Sequence, residues 1–151
     1  MNAFAPQDAA YESRCRSSFA RQKFMTTLGA RLLSVAPGEV AIELPFRDDL
    51  TQQHGFLHAG VVTAVVDSAC GYSALTLMPA GVAVLSVEFK INLMKPAAGE
   101  TFRATGKVVR AGGTLTVCTG EMRALHAGRS DVVAVMQATL MTVRGRTALT
   151  D

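Results

Sequence analysis

The chain has 151 residues, almost half of them hydrophobic, with 6% aromatic residues, no Trp and a formal net charge of +3. That length describes one domain able to bury a core without staples, built from Val, Ala, Leu and Met. The basic residues, among them Arg14, Arg21, Lys90, Lys95, Arg103 and Arg110, are spread along the chain with no run of five. The spacing excludes a basic arm for nucleic acid, while a mildly positive surface still suits an anionic small molecule.

Residues 8–28 read as a helical N-terminal segment, with Tyr11, Cys15, Phe19 and Leu28 at near-helical spacing. The opening "MNAFAPQDAAYESRCR" lacks a basic start followed by an apolar block, so no signal peptide is expected. "ARLLSV" and "EVAIELPF" read as two strands joined by a turn at Ala36-Pro37-Gly38. "RDDLTQQHGFLHAG" is a polar loop leading into a long apolar helix that is expected to end at Met78-Pro79.

That helix approaches the roughly 20 apolar residues of a membrane span. It carries Asp67 near its middle, with Thr63, Ser68, Ser73 and Thr76, and strand-like segments follow it. A buried core helix is the better account, and no membrane partner is expected.

In residues 82–94, "VAVLSVEFKINLM", the odd positions are apolar and the even positions from Ser86 onward are polar. This predicts a strand with the odd face buried and with Ser86, Glu88 and Lys90 on the wet face. "TFRATGKVVR" and "TLTVCTGEMRAL" flank a hairpin turn at Ala111-Gly112-Gly113, and residues 131–143 form a last strand. The expected fold is α+β, an antiparallel sheet of five to six strands wrapped around one long central helix.

This layout, with the motif "LHAGVVTAVVDSACGYSA", resembles the hotdog fold of acyl-CoA thioesterases of the phenylacetate-degradation (PaaI-like) and 4-hydroxybenzoyl-CoA type. The resemblance runs from about Leu32 to Val143 and also rests on "SVEFKINLMKPA" and the Gly-Gly hairpin. It implies a thioesterase domain over 29–146, a helical segment over 1–28 and a tail over 147–151. By resemblance, Asp67 matches the catalytic carboxylate and Ala59 the residue whose N–H binds the thioester carbonyl. Gln52 falls where the family often has an asparagine, and Ser86 where some members hold a water. The pattern departs from the family at His-Ala-Gly in place of His-Gly-Gly, and at Gly113 in place of a basic residue near the CoA phosphates.

The chemistry fits these residue types. A helix N-terminus opening on Ala59 and Gly60 offers free N–H groups to a developing oxyanion. Asp67 offers a general base or a nucleophile, and burial should raise its pKa. Its helical neighbours Gly60, Thr63, Ala64, Cys70, Gly71 and Ala74 are all small. The candidate catalytic residues are Asp67, Ala59, Gly60, Gln52 and His58, with Ser86 and Ser68 as substrate-binding candidates. His58 reads as a loop-to-helix hydrogen-bonder; His54 and His126 have no partner pattern. No metal site and no cofactor are expected. Cys15, Cys70 and Cys118 are odd in number and read as reduced thiols of a cytoplasmic protein.

The expected substrate is an acyl-CoA with a small aryl or medium-chain acyl group. Alternatives are a non-catalytic acyl-thioester binder and a dehydratase or isomerase, which usually needs a helix histidine. Ala59 and Asp67 lie eight residues apart, a rise of ~12 Å along one helix. One carbonyl hardly reaches both, so a homodimer with shared active sites is expected, with a dimer of dimers left open.

Overall fold

The computed structural model describes residues 4–146, 148 and 149; residues 1–3 of the N-terminal segment and 147, 150 and 151 of the expected tail lie outside the described residues. Two short helices, α1 (Tyr11–Arg21) and α2 (Lys23–Leu28), precede strands β1 (Arg31–Ala36) and β2 (Glu39–Pro45). The long helix α3 (Ala59–Leu75) follows, then β3 (Ala83–Leu93), β4 (Thr101–Ala111), β5 (Leu115–His126) and β6 (Arg129–Val143). The strands make one antiparallel sheet in the order β1-β2-β4-β5-β6-β3, and α3 packs across its concave face. This is the hotdog architecture.

The helix forms against its own propensities. Val61, Val62, Thr63, Val65 and Val66 are β-branched and weak helix formers. Packing overrides this, because Val62, Val65, Val66, Ala69 and Cys70 are buried against Ile42, Phe102, Met122 and Leu140 of the sheet. Each large side chain so buried contributes about 1.5–3 kcal/mol.

The helix rides on two glycines that face each other across the β4–β5 ladder, Gly106 and Gly120. A Cβ on Gly106 would lie 2.3 Å from the Ala69 carbonyl oxygen and 2.6 Å from the Cys70 nitrogen. The obstruction is helix backbone, which has no rotamer to move. Gly106→Ala is therefore expected to cost about 3 kcal/mol or more, lowering the melting temperature by roughly 6–12 °C. Gly113→Ala, where nothing lies within 4 Å of the added Cβ, is the control. Equal melting temperatures for the two variants would refute this account.

The regular helix stops at Leu75, before the expected Met78-Pro79 end, and the chain tightens into i→i+3 turns through Met78. The physical reason lies far away in sequence. Arg14 of α1 donates to the carbonyls of Leu75, Met78 and Pro79 at 2.9, 2.8 and 2.6 Å. Its guanidinium also pairs with Asp8 at 3.4 Å. A cation satisfying orphan carbonyls at the negative end of a helix is favourable. It clamps the N-terminal helices to α3.

Strand β3 departs from the expected alternation. A bulge between Ser86 and Glu88 leaves Val87 as the extra residue and switches the phase of the strand. Val84 and Ser86 pair with the inward Thr142 and Leu140; beyond the bulge, Phe89 and Ile91 pair with the inward Ala138 and Met136. So Ser86 faces the helix, not the wet face it was expected to share with Glu88 and Lys90. Nor is the odd face uniformly buried: Ala83 is buried and Ile91 half-buried, whereas Leu85, Val87, Phe89 and Leu93 are 43–54% exposed within the single chain.

Candidate active site

The outward stripe of α3 consists of Gly60, Thr63, Ala64, Asp67, Ser68 and Gly71, all at least partly exposed. Cys70 and Ala74, read from the sequence as sharing the Asp67 face, are fully buried on the sheet side. Asp67 is half-buried in a recess of about 120 Å³ shared with Gln22, Ser68, Gly71, Tyr72 and Ser86. Ser86 Oγ donates to Asp67 Oδ1 at 2.7 Å. The β3 bulge brings this hydroxyl inward. Burial pushes the Asp67 carboxyl above its ordinary value near 3.8, and the Ser86 hydrogen bond pulls part of that rise back.

The other end of the helix holds the remaining candidates. His58 is the N-cap, extended at φ −62° and ψ 138°, and its Nδ1 accepts from the Gly60 N–H at 2.9 Å. The Gly60 amide is therefore occupied. The amides of Val61 and Val62 donate to the His58 carbonyl. The Ala59 N–H, exposed at the positive end of the dipole, is the first-turn amide with no partner among the described residues. Ala59 lines a groove of about 460 Å³ with Gln52, Phe56, Leu93, Lys95 and Pro96. Gln52 Oε1 accepts from the His54 amide, which tightens the loop before the helix.

The structure thus gathers the candidates into two places. Gln52, His58, Ala59 and Gly60 cluster at the helix N-terminus; Asp67, Ser68 and Ser86 meet halfway along it. The two lie ~12 Å apart along the axis. Gln22, at the break between α1 and α2, joins the second group with no local signal in the sequence. Its position is set by the Arg14 clamp and by α1 packing on Tyr72, where Phe19 stacks edge-on at 5.5 Å.

The thiols stand apart from this chemistry. Cys15, Cys70 and Cys118 are buried and unpaired with one another. Burial pushes the Cys70 thiol well up and the Cys118 thiol to about 11, so neither supplies a thiolate near neutral pH. His54 sits exposed beside Gln53, and His126 pairs with Glu100 at 3.1 Å.

One helix thus carries an N-terminal amide with no partner among the described residues and, further along, a carboxyl that burial holds above its ordinary value. Comparison with known proteins defines the class. The thioesterase superfamily profile matches residues 54–130, and the chain belongs to that family and is a thioester hydrolase. A solved thioesterase family protein from Silicibacter pomeroyi is 51% identical, covers 89% of this chain and 99% of its own, and superposes with a TM-score of 0.88. Human acyl-coenzyme A thioesterase 13 is 31% identical over 99 residues, 65% of this chain and 70% of its own. The E. coli PaaI protein, 18% identical over 92% of this chain and 97% of its own, shares the fold with a TM-score of 0.79. No helix among the described residues is long and apolar enough to cross a membrane.

Proposed function

We propose that this chain hydrolyses an acyl-CoA carrying a small aryl or medium-chain acyl group to the free acid and CoA. The observation that carries this reading is the half-buried Asp67 carboxylate, hydrogen-bonded to Ser86, on a helix whose N-terminal Ala59 amide is free. The Ala59 N–H binds the thioester carbonyl oxygen and stabilises the oxyanion as it forms. Asp67 takes a proton from the attacking water, and the tetrahedral intermediate collapses to the free acid as the CoA thiolate leaves; or Asp67 attacks the carbonyl itself, the thiolate leaves, and water then hydrolyses the acyl–Asp67 anhydride to release the acid. His58 holds the first turn in shape, and Gln52 shares the groove through which the pantetheine arm would reach Ala59.

The site takes two copies of the chain. Antiparallel packing of α3 on a second α3 through the small outward stripe would set one Ala59 beside the other Asp67. The exposed apolar side chains of edge strand β3 favour such pairing. We place the hydrolase unit in residues 29–146, with residues 4–28 of the N-terminal segment packed on it. Three cysteines that form no disulfide favour a cytoplasmic setting.

Free-thiol release over a panel of aryl- and alkyl-CoAs tests the reading. Turnover supports it. Binding without turnover would favour the non-catalytic acyl-thioester binder, and water addition or isomerisation without thiol release the dehydratase or isomerase alternative.

The pH dependence gives a sharper test. A base works deprotonated, so kcat/KM should fall on the acid side as pH drops through the raised Asp67 pKa. Ser86→Ala removes the hydrogen bond that holds this pKa down. The acid limb is expected to move to higher pH in that variant. An unmoved limb would mean that another group titrates there.

A further inference from the structure

We propose that Gln22 is a specificity-determining residue, closing the Asp67 recess with a carboxamide that favours, among small acyl groups, those bearing a hydrogen-bond acceptor at their far end. The inference rests on the hydrolase reading and adds the acyl class to it. The recess, at about 120 Å³, has roughly a quarter of the volume of the groove beside Ala59, at about 460 Å³. It is a slot for an acyl group, not for the CoA arm. Its wall on the N-terminal side comes from outside residues 54–130, the span matched to the superfamily. That wall is Gln22, held in extended geometry at φ −78° and ψ 92° between α1 and α2.

The hydrogen-bond accounting of the recess decides what it accepts. The Ser86 hydroxyl hydrogen is spent on Asp67. The Ser68 hydroxyl donates to Gln22 Oε1 at 3.4 Å, and the Tyr72 hydroxyl lies 3.3 Å from Ser18 Oγ. The Gln22 Nε2 amide has no partner among the described residues, and Gln22 is one of the residues that line the recess. An alkyl chain entering there would strip water from this donor and return nothing, whereas a keto or hydroxyl oxygen would accept from it.

The test compares γ-oxopentanoyl-CoA with γ-methylpentanoyl-CoA, which differ by one oxygen in place of a methyl group. Wild type is expected to prefer the keto substrate by about three- to tenfold in kcat/KM, the worth of one hydrogen bond. Gln22→Leu and Gln22→Met keep the bulk without the amide, and either is expected to remove or reverse the preference. Two variants guard against one failing to fold, which thermal unfolding would reveal. Ser68→Ala, which releases the other end of the carboxamide, should weaken the preference by less. No preference in wild type, or the same preference in a folded Gln22 variant, overturns the inference. If wild type turns over neither substrate while the CoA panel shows thiol release, the inference is overturned and the hydrolase reading stands; if the panel also gives none, the hydrolase reading has failed by itself. Gln22 is then tested by calorimetric affinity for the two analogues in which a methylene replaces the thioester sulfur. Equal affinities, or no binding of either, would overturn it.

Discussion

Asp67→Asn is expected to lower kcat by roughly 10²–10⁴-fold, the usual contribution of a positioned general base, while the melting temperature stays level or rises. The two halves of this result have separate causes. Asparagine keeps an oxygen that can accept from Ser86, so the 2.7 Å contact has a like-for-like replacement and the recess keeps its shape. It cannot take a proton from water. On the stability side, burial raises the folded-state pKa of Asp67 above 3.8. A carboxyl whose pKa is higher when folded binds its proton more tightly in the native state. Its effect on stability is therefore best at low pH and is lost as pH rises from about 3.8 through the raised value. At neutral pH the charge is a burden on the fold that asparagine removes. Wild-type rates in the variant would remove Asp67 from the chemistry. A large drop in melting temperature would mean a structural role. Label found in the Asp67 carboxylate after a single turnover in heavy-oxygen water would show that Asp67 attacks directly; as a base it takes up none.

The long strands and the central helix were legible because each carries a period: two along β4 to β6, and a long apolar run through α3. Asp67 stood out for a related reason, as the one carboxylate in that apolar run, while its catalytic reading came from the resemblance of the motif. What could not be read depends on contacts between distant segments. The bulge at Val87 has no glycine to mark it, and "SVEFKINL" alternates cleanly through it. The same bulge puts Ser86, still exposed in the single chain, on the helix side of the strand as the partner of Asp67. The helix ends where Arg14 caps it, not where Pro79 forbids it. Gln22 reaches the recess because two helices break at that residue and the first of them docks on Tyr72. Nothing within several residues of Gln22 encodes that docking. The occupied amide of Gly60 belongs to the same class: His58 could be read as a hydrogen-bonder, but which N–H it takes follows only from cap geometry.

Mixing two inactive variants should restore activity, because the proposed sites draw Ala59 from one subunit and Asp67 from the other. The first variant is Asp67→Asn. The second disables the amide end, for example Ala59→Pro, which deletes the donor while proline is tolerated at a helix's first position. In a mixed dimer one site carries both lesions and the other carries none. Random reassortment of equal amounts then gives about a quarter of the sites intact, since a two-fold pair has two equivalent composite sites and half the dimers are mixed. The return from background to that level is a change of orders of magnitude, and it needs no estimate of any single interaction. The geometry behind it is simple. The free amide and the carboxylate of one chain are separated by ~12 Å of helix, whereas an oxyanion donor must lie ~3 Å from the carbonyl oxygen. The outward stripe has no side chain larger than Asp67, so two helices can approach closely, and the unpaired β3 edge exposes Leu85, Val87, Phe89 and Leu93 beside it. Subunit exchange must be shown independently, by native mass spectrometry of tagged chains. Mixed dimers that form and stay inactive would place each site within a single chain.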